Sequence, residues 1–144
     1  MRISINADYI LRAMYELATV GNKKPISVSK IADDKHIPRK YLEKLFINLK
    51  KYGIVKSTLG KNGGYVLTDK PENITMKQII KASEGQISVH NCKDRRVDMS
   101  CEFFENCVFK DFWNKFNTHI NNFLDSYTLA SFMSEDNSTL NNTD

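Results

Sequence analysis

Residues 25–69, PISVSKIADDKHIPRKYLEKLFINLKKYGIVKSTLGKNGGYVLTD, decide the fold, because two short helical patterns run directly into a hairpin pattern. Ser27 or Ser29 can cap the first helix, and Pro38 suits the first turn of the second. In that second helix Tyr41, Leu42, Leu45, Phe46 and Leu49 form the inward stripe. Arg39, Lys40, Glu43, Lys44, Asn48 and Lys50 are left for solvent or a ligand, and Gly53 ends the helix. The β-branched run after Gly53 and the YVL segment flank GKNGG, the composition of a hairpin whose loop needs positive φ angles. The expectation is helix, turn, helix, then a wing.

Upstream, Tyr9, Ile10, Ala13, Met14, Leu17 and Ala18 recur at steps of three and four, which predicts an amphipathic helix from Ile5 to Val20 stopped by Gly21. Downstream, Pro71 breaks the chain, Thr75 can cap a short helix through Ile79, Ile80 and Ala82, and Gly85 closes it. These elements complete a unit over residues 1–84. Beyond Cys107, Phe109, Phe112, Trp113, Phe116, Ile120, Phe123, Leu124 and Tyr127 again step by three or four, as on a helix with a wide aromatic stripe. So many outward aromatics would be costly, so a second copy's helix is the expected neighbour and a two-fold homodimer the expected assembly. Packing against the first helix of the same chain is the alternative. The fold class is thus mainly α with a small β-hairpin wing: a winged helix-turn-helix domain plus a long C-terminal dimerisation helix. Residues 85–107 form a cysteine loop, 108–133 the dimerisation helix and a short terminal helix, and the polar tail 134–144 is expected to be disordered.

Charge points to a partner. Residues 1–70 carry 14 Lys/Arg against 6 Asp/Glu, a balance of +8, whereas residues 71–144 carry 7 against 11, a balance of −4. A basic first half is what counterion release from a phosphate backbone rewards. The second helix can enter a major groove by its N-terminal end while the hairpin reaches a neighbouring phosphate or minor groove. The candidate DNA-binding residues are Ser29, Arg39, Lys40, Tyr41, Glu43 and Lys44 on the helices and Lys56 and Lys61 on the wing, with Glu43 able to accept from a cytosine amino group. Tyr41 therefore stands in both the inward stripe and the reading set. No apolar run approaches the ~20 residues of a membrane span, and the N-terminus lacks a signal-type apolar stretch, so a cytoplasmic protein is expected.

All three cysteines, Cys92, Cys101 and Cys107, fall in one window, CKDRRVDMSCEFFENC. In a reducing compartment an odd set of thiols suits metal binding or thiol chemistry better than disulfides. Three thiolates with a histidine or carboxylate could hold zinc, although their wide gaps suit something larger than a single ion. No Ser/His/Asp set, phosphate-cradling loop or paired catalytic carboxylates appear, and His36, His90 and His119 are scattered, so an enzyme is not expected.

The opening MRISINADYILRAMYELA, the stretch through YLEKLF and GGYVL, the cysteine loop and the KDFW helix together resemble the IscR/NsrR-type regulators of the Rrf2 superfamily. The resemblance implies a homodimeric winged-helix transcription factor whose C-terminal helix crosses its twin and whose three cysteines hold an iron-sulfur cluster, [2Fe-2S] or [4Fe-4S]. Cys92, Cys101 and Cys107 stand at the family's ligand positions, and Glu43 stands at that of a base-reading acid. Eight residues separate Cys92 from Cys101, more than cluster-binding members commonly have, and Leu59 sits where the wing often carries an arginine. The IscR type places a histidine ligand where this chain has Lys110, whereas the NsrR type resembles the chain at Asp8, a carboxylate reaching the other subunit's cluster. His90, Glu102 and Glu105 are further candidates. Two rival functions remain open, a cluster-free thiol sensor that still binds DNA and a protein-interaction module that does not.

Overall fold

The computed structural model describes residues 4–20, 24–88 and 106–133. Helix α1 spans Ile5–Val20, α2 Val28–Lys35 and α3 Arg39–Lys51. Strands β1 (Val55–Thr58) and β2 (Gly64–Leu67) follow, then a 3-10 turn at Pro71–Asn73, α4 (Met76–Glu84), α5 (Lys110–Ser126) and α6 (Leu129–Met133).

Helix α1 is the spine. Its buried residues Ile10, Ala13, Met14, Leu17 and Ala18 reproduce the predicted stripe apart from half-buried Tyr9, with Ala7 buried in addition, and those five meet Ile31 of α2, Leu42, Phe46 and Leu49 of α3, and Ile79 of α4 in one core. The stop predicted at Gly21 lies outside the described residues, as does the tail 134–144. Ser27, rather than Ser29, caps α2, its side chain accepting from the Lys30 amide at 3.2 Å. The turn into α3 is made by His36 in the left-handed region, φ 53° and ψ 43°, its amide directed at the carbonyls of Ala32 and Asp33. Pro38 lies at the cap of α3, one position before the predicted first turn. Its carbonyl accepts from the amides of Tyr41 and Leu42. Tyr41 corrects the expected stripe: it is 54% exposed, while Leu42, Leu45, Phe46 and Leu49 are buried. At 100° per residue it falls beyond the stripe's edge.

The hairpin is antiparallel, pairing Val55 with Leu67 and Thr58 with Gly64. Of the glycines in GKNGG, Gly60 has positive φ, 108°. Gly63 and Gly64 do not, and they serve close approach instead. A Cβ on Gly64 would stand 2.4 Å from the Ile26 backbone. That space lets Ile26 add a single-residue bridge to the wing, its N–H donating to the Tyr65 carbonyl at 3.1 Å and its carbonyl accepting in return at 2.8 Å. Thr75 caps α4 as expected, and Gln78 reaches back to its amide to complete a capping box. The last helix returns to the same core: Leu129 is 2% exposed, its amide donates to the Ile74 carbonyl at 2.9 Å, and the Met76 amide donates to the Tyr127 carbonyl at 2.9 Å.

Gly64→Ala should force Ile26 and β2 apart and cost about 2 to 3 kcal/mol of stability, read as a lowered urea midpoint. An unchanged midpoint would show that the bridge does not hold the wing.

Candidate nucleic-acid interface and sensor site

Helix α3 presents its N-terminal end as a charged ridge. Arg39, Lys40, Tyr41, Glu43 and Lys44 are all exposed, and the Arg39 Nε donates to Glu43 Oε1 at 2.9 Å, an i,i+4 pair. Both partners are solvated, so the pair contributes little stability and can be exchanged for base or phosphate contacts. Ser29 is half-buried on α2, beside rather than on the ridge. Lys56 and Lys61 are exposed on the wing. Lys50 Nζ donates to Ser57 Oγ at 2.8 Å, joining the end of α3 to β1. This link between two elements had no local signal in sequence. With the Ile26 bridge, it adds to the contacts between the reading domain and the wing. In the wing loop, between β1 and the Gly60–Gly63 turn, Leu59 is 98% exposed.

Of the predicted sensor residues, Cys92 and Cys101 lie outside the described residues, as do His90, Glu102 and Glu105. Cys107 is half-buried at the foot of α5, its carbonyl accepting from the Lys110 amide at 3.1 Å. Asp8 lies in the first turn of α1 and pairs with Arg12 at 2.7 Å. An apolar hollow next to Arg12 is walled by Leu11, Tyr15, Met76, Leu129 and Phe132. Among the described residues no group of three potential metal ligands converges. The donor chemistry nonetheless fits: thiolates suit iron-sulfur centres, and Asp8 is accessible enough to ligate if it leaves Arg12.

Helix α5 has no buried residue and packs chiefly against α4, not against α1 as the single-chain alternative expects. Lys77 pairs with Asp125 at 2.6 Å across this contact. Phe109, Phe112, Phe116 and Phe123 remain exposed, with Phe112 and Phe116 stacked at 6.1 Å. No helix among the described residues is long and apolar enough to cross a membrane.

A helix-turn-helix with a basic reading ridge and a rigid wing defines a DNA-binding transcriptional regulator rather than an enzyme. The profile of the Rrf2 family, iron-dependent transcriptional regulators, matches residues 3–135, and the chain belongs to that family. It is 30% identical to the HTH-type transcriptional regulator IscR of Pectobacterium atrosepticum over 129 residues, 90% of this chain and 77% of that one. Among solved structures it resembles CymR, the global cysteine regulator of B. subtilis, at 33% identity and TM-score 0.73, covering 93% of this chain and 97% of that one. It also resembles T. potens IscR at 31% identity and TM-score 0.72, covering 100% and 93%.

Replacing Arg39 and Lys40 together by alanine should weaken duplex binding about tenfold and reduce the slope of log affinity against log salt by roughly 0.9 for each phosphate that is no longer neutralised. Unchanged affinity and slope would remove the ridge from the interface.

Proposed function

We propose that operator affinity is set by an iron-sulfur cluster held by Cys92, Cys101 and Cys107 with Asp8 as fourth ligand, in a homodimer joined through α5. The observation that carries this reading is the position of Cys107: it opens the helix whose aromatic face stays uncovered within the chain. The cluster would supply iron-thiolate redox and ligand-exchange chemistry, and a carboxylate would be its weakest, most exchangeable ligand. The protein's part is mechanical. Movement of Cys107 moves the foot of α5, and α5 is tied to the reading domain by Lys77–Asp125 and by the Met76 amide on the Tyr127 carbonyl. A change of ~1.4 kcal/mol in the balance of two α5 positions alters operator affinity tenfold. Arg39, Lys40 and Lys44 serve as phosphate or guanine contacts, Glu43 as the base-reading acid, Ser29 and Tyr41 as flanking contacts, and Lys56 and Lys61 as wing anchors.

Protein purified without oxygen should carry iron and sulfide and absorb near ~400 nm, and Asp8→Ala should retain the three-thiolate site but lose iron faster to a chelator. Absence of iron, or operator affinity unchanged after the cluster is stripped, would defeat the proposal. The likeness to the cysteine regulator CymR favours a second reading, a cluster-free thiol sensor. Iron-free protein whose DNA binding still responds to mild oxidant would establish it.

Phe112→Glu combined with Phe123→Glu should convert the dimer to a folded monomer, because two buried carboxylates would destabilise the pairing face by several kcal/mol. Light scattering with circular dichroism checks this, and a dimer that persists would place the interface elsewhere.

A further inference from the structure

We propose that the cleft between α4 and α5 is an effector site for a small polyhydroxylated anion, a sugar phosphate or sugar acid, whose binding braces the two helices against each other. The cleft has a volume of about 480 Å³, within the roughly 300 to 1,000 Å³ typical of small-molecule sites. Unlike the apolar hollow beside Arg12, it is walled by lysines and carboxamides. Lys77 and Lys81 line it from α4, four residues apart and so on one side of that helix. Asn117 and Asn121 line it from α5 at the same spacing, with Asn122 alongside and Gln86 just beyond the end of α4.

Charge and hydrogen bonding select the ligand. Lys77 is matched by Asp125 at 2.6 Å, whereas Lys81 has no acidic partner among the described residues. One positive charge in the cleft is thus left for an anion, which a lysine ammonium meets as a point charge. The Asn121 Nδ2 is already engaged, donating to the Asn117 carbonyl at 2.8 Å and to the Ile87 carbonyl at 3.5 Å. That leaves its Oδ1 as an acceptor without a donor among the described residues, and the side-chain amides of Gln86 and Asn122 hold no partner there either. A carboxamide both donates and accepts, as a hydroxyl does, so this array matches several hydroxyls on one small molecule.

The site does not compete with the proposed dimer. At 100° per residue Asn117, Asn121 and Asn122 lie on the side of α5 away from Phe112, Phe116 and Phe123, so covering the aromatic face leaves the cleft open. A ligand held by Lys81 and Asn121 at once spans the contact that ties α5 to the reading domain. The effect on DNA rests on operator affinity being set through α5, whereas occupancy of the cleft does not.

Calorimetry of the full-length protein with ribose 5-phosphate, glucose 6-phosphate and gluconate, beside ribose and inorganic phosphate, tests the site without DNA. At least one of the three organic anions should bind saturably and about tenfold tighter than ribose or phosphate alone. Gluconate against the two sugar phosphates identifies the head group. The bound anion should shift the side-chain amide NMR signals of Gln86, Asn121 and Asn122. Lys81→Met should weaken it about tenfold with an unchanged thermal midpoint, and Lys81→Arg should restore most of the affinity. On duplexes selected from a random pool, the anion should change the operator affinity of wild type about threefold or more, and that of Lys81→Met much less at the same concentration. Absence of saturable binding, inorganic phosphate binding as tightly as the sugar phosphates, or NMR shifts centred on Arg39 and Lys40 would overturn the site. Saturable binding that leaves operator affinity unchanged would overturn its effector role. Failure of wild type to select any duplex would defeat the operator reading instead, while the calorimetric result stands.

Discussion

The contact between the bare backbone of Gly64 and the backbone of Ile26 governs the rest of the reading surface. It fastens a two-stranded hairpin, marginal by itself, to the residue just before α2. Once that edge is paired, Tyr65 is brought against Phe46 of α3, their rings 4.7 Å apart. Lys50 can then reach Ser57. A side chain at position 64 would meet the Ile26 backbone and open that bridge first.

The fold was legible wherever one face of a long element is buried. Helix α1 was readable to its first and last residue, since its stripe repeats over the entire helix. Tyr41 misled because an aromatic at the edge of a stripe carries the same apolar signal as one inside it, and only packing separates them. The Ile26 bridge was invisible: a one-residue strand has no period. The glycine pair was read as a demand for positive φ, whereas steric room was the reason at Gly63 and Gly64. Within the reading site, the charges at the head of α3 were plain from the residues left outside its apolar stripe, whereas the Arg39–Glu43 pair came from the structure. The Lys50–Ser57 link was not, since neither residue signals a partner across an element boundary.

Helices α5 and α6 show how a short chain shares one core among distant segments. Asp125 and Tyr127 engage the beginning of α4, and Leu129 then enters the cluster built by α1. The chain thus passes through the cysteine window and comes back, so the helix with the aromatic face is anchored at its C-terminal end while Cys107 stands at the other. Any displacement at the Cys107 end is levered about the α4 contact.

His36 has a quieter consequence. A non-glycine residue in the left-handed region costs roughly 1 kcal/mol, and the chain accepts this at the joint between α2 and α3. Glycine would relieve the strain but would give the unfolded chain more freedom to lose, so the net stability would change little. What histidine supplies is a joint with one shape. The mutual alignment of the two helices is completed during folding, and meeting a duplex then requires little further loss of conformational entropy.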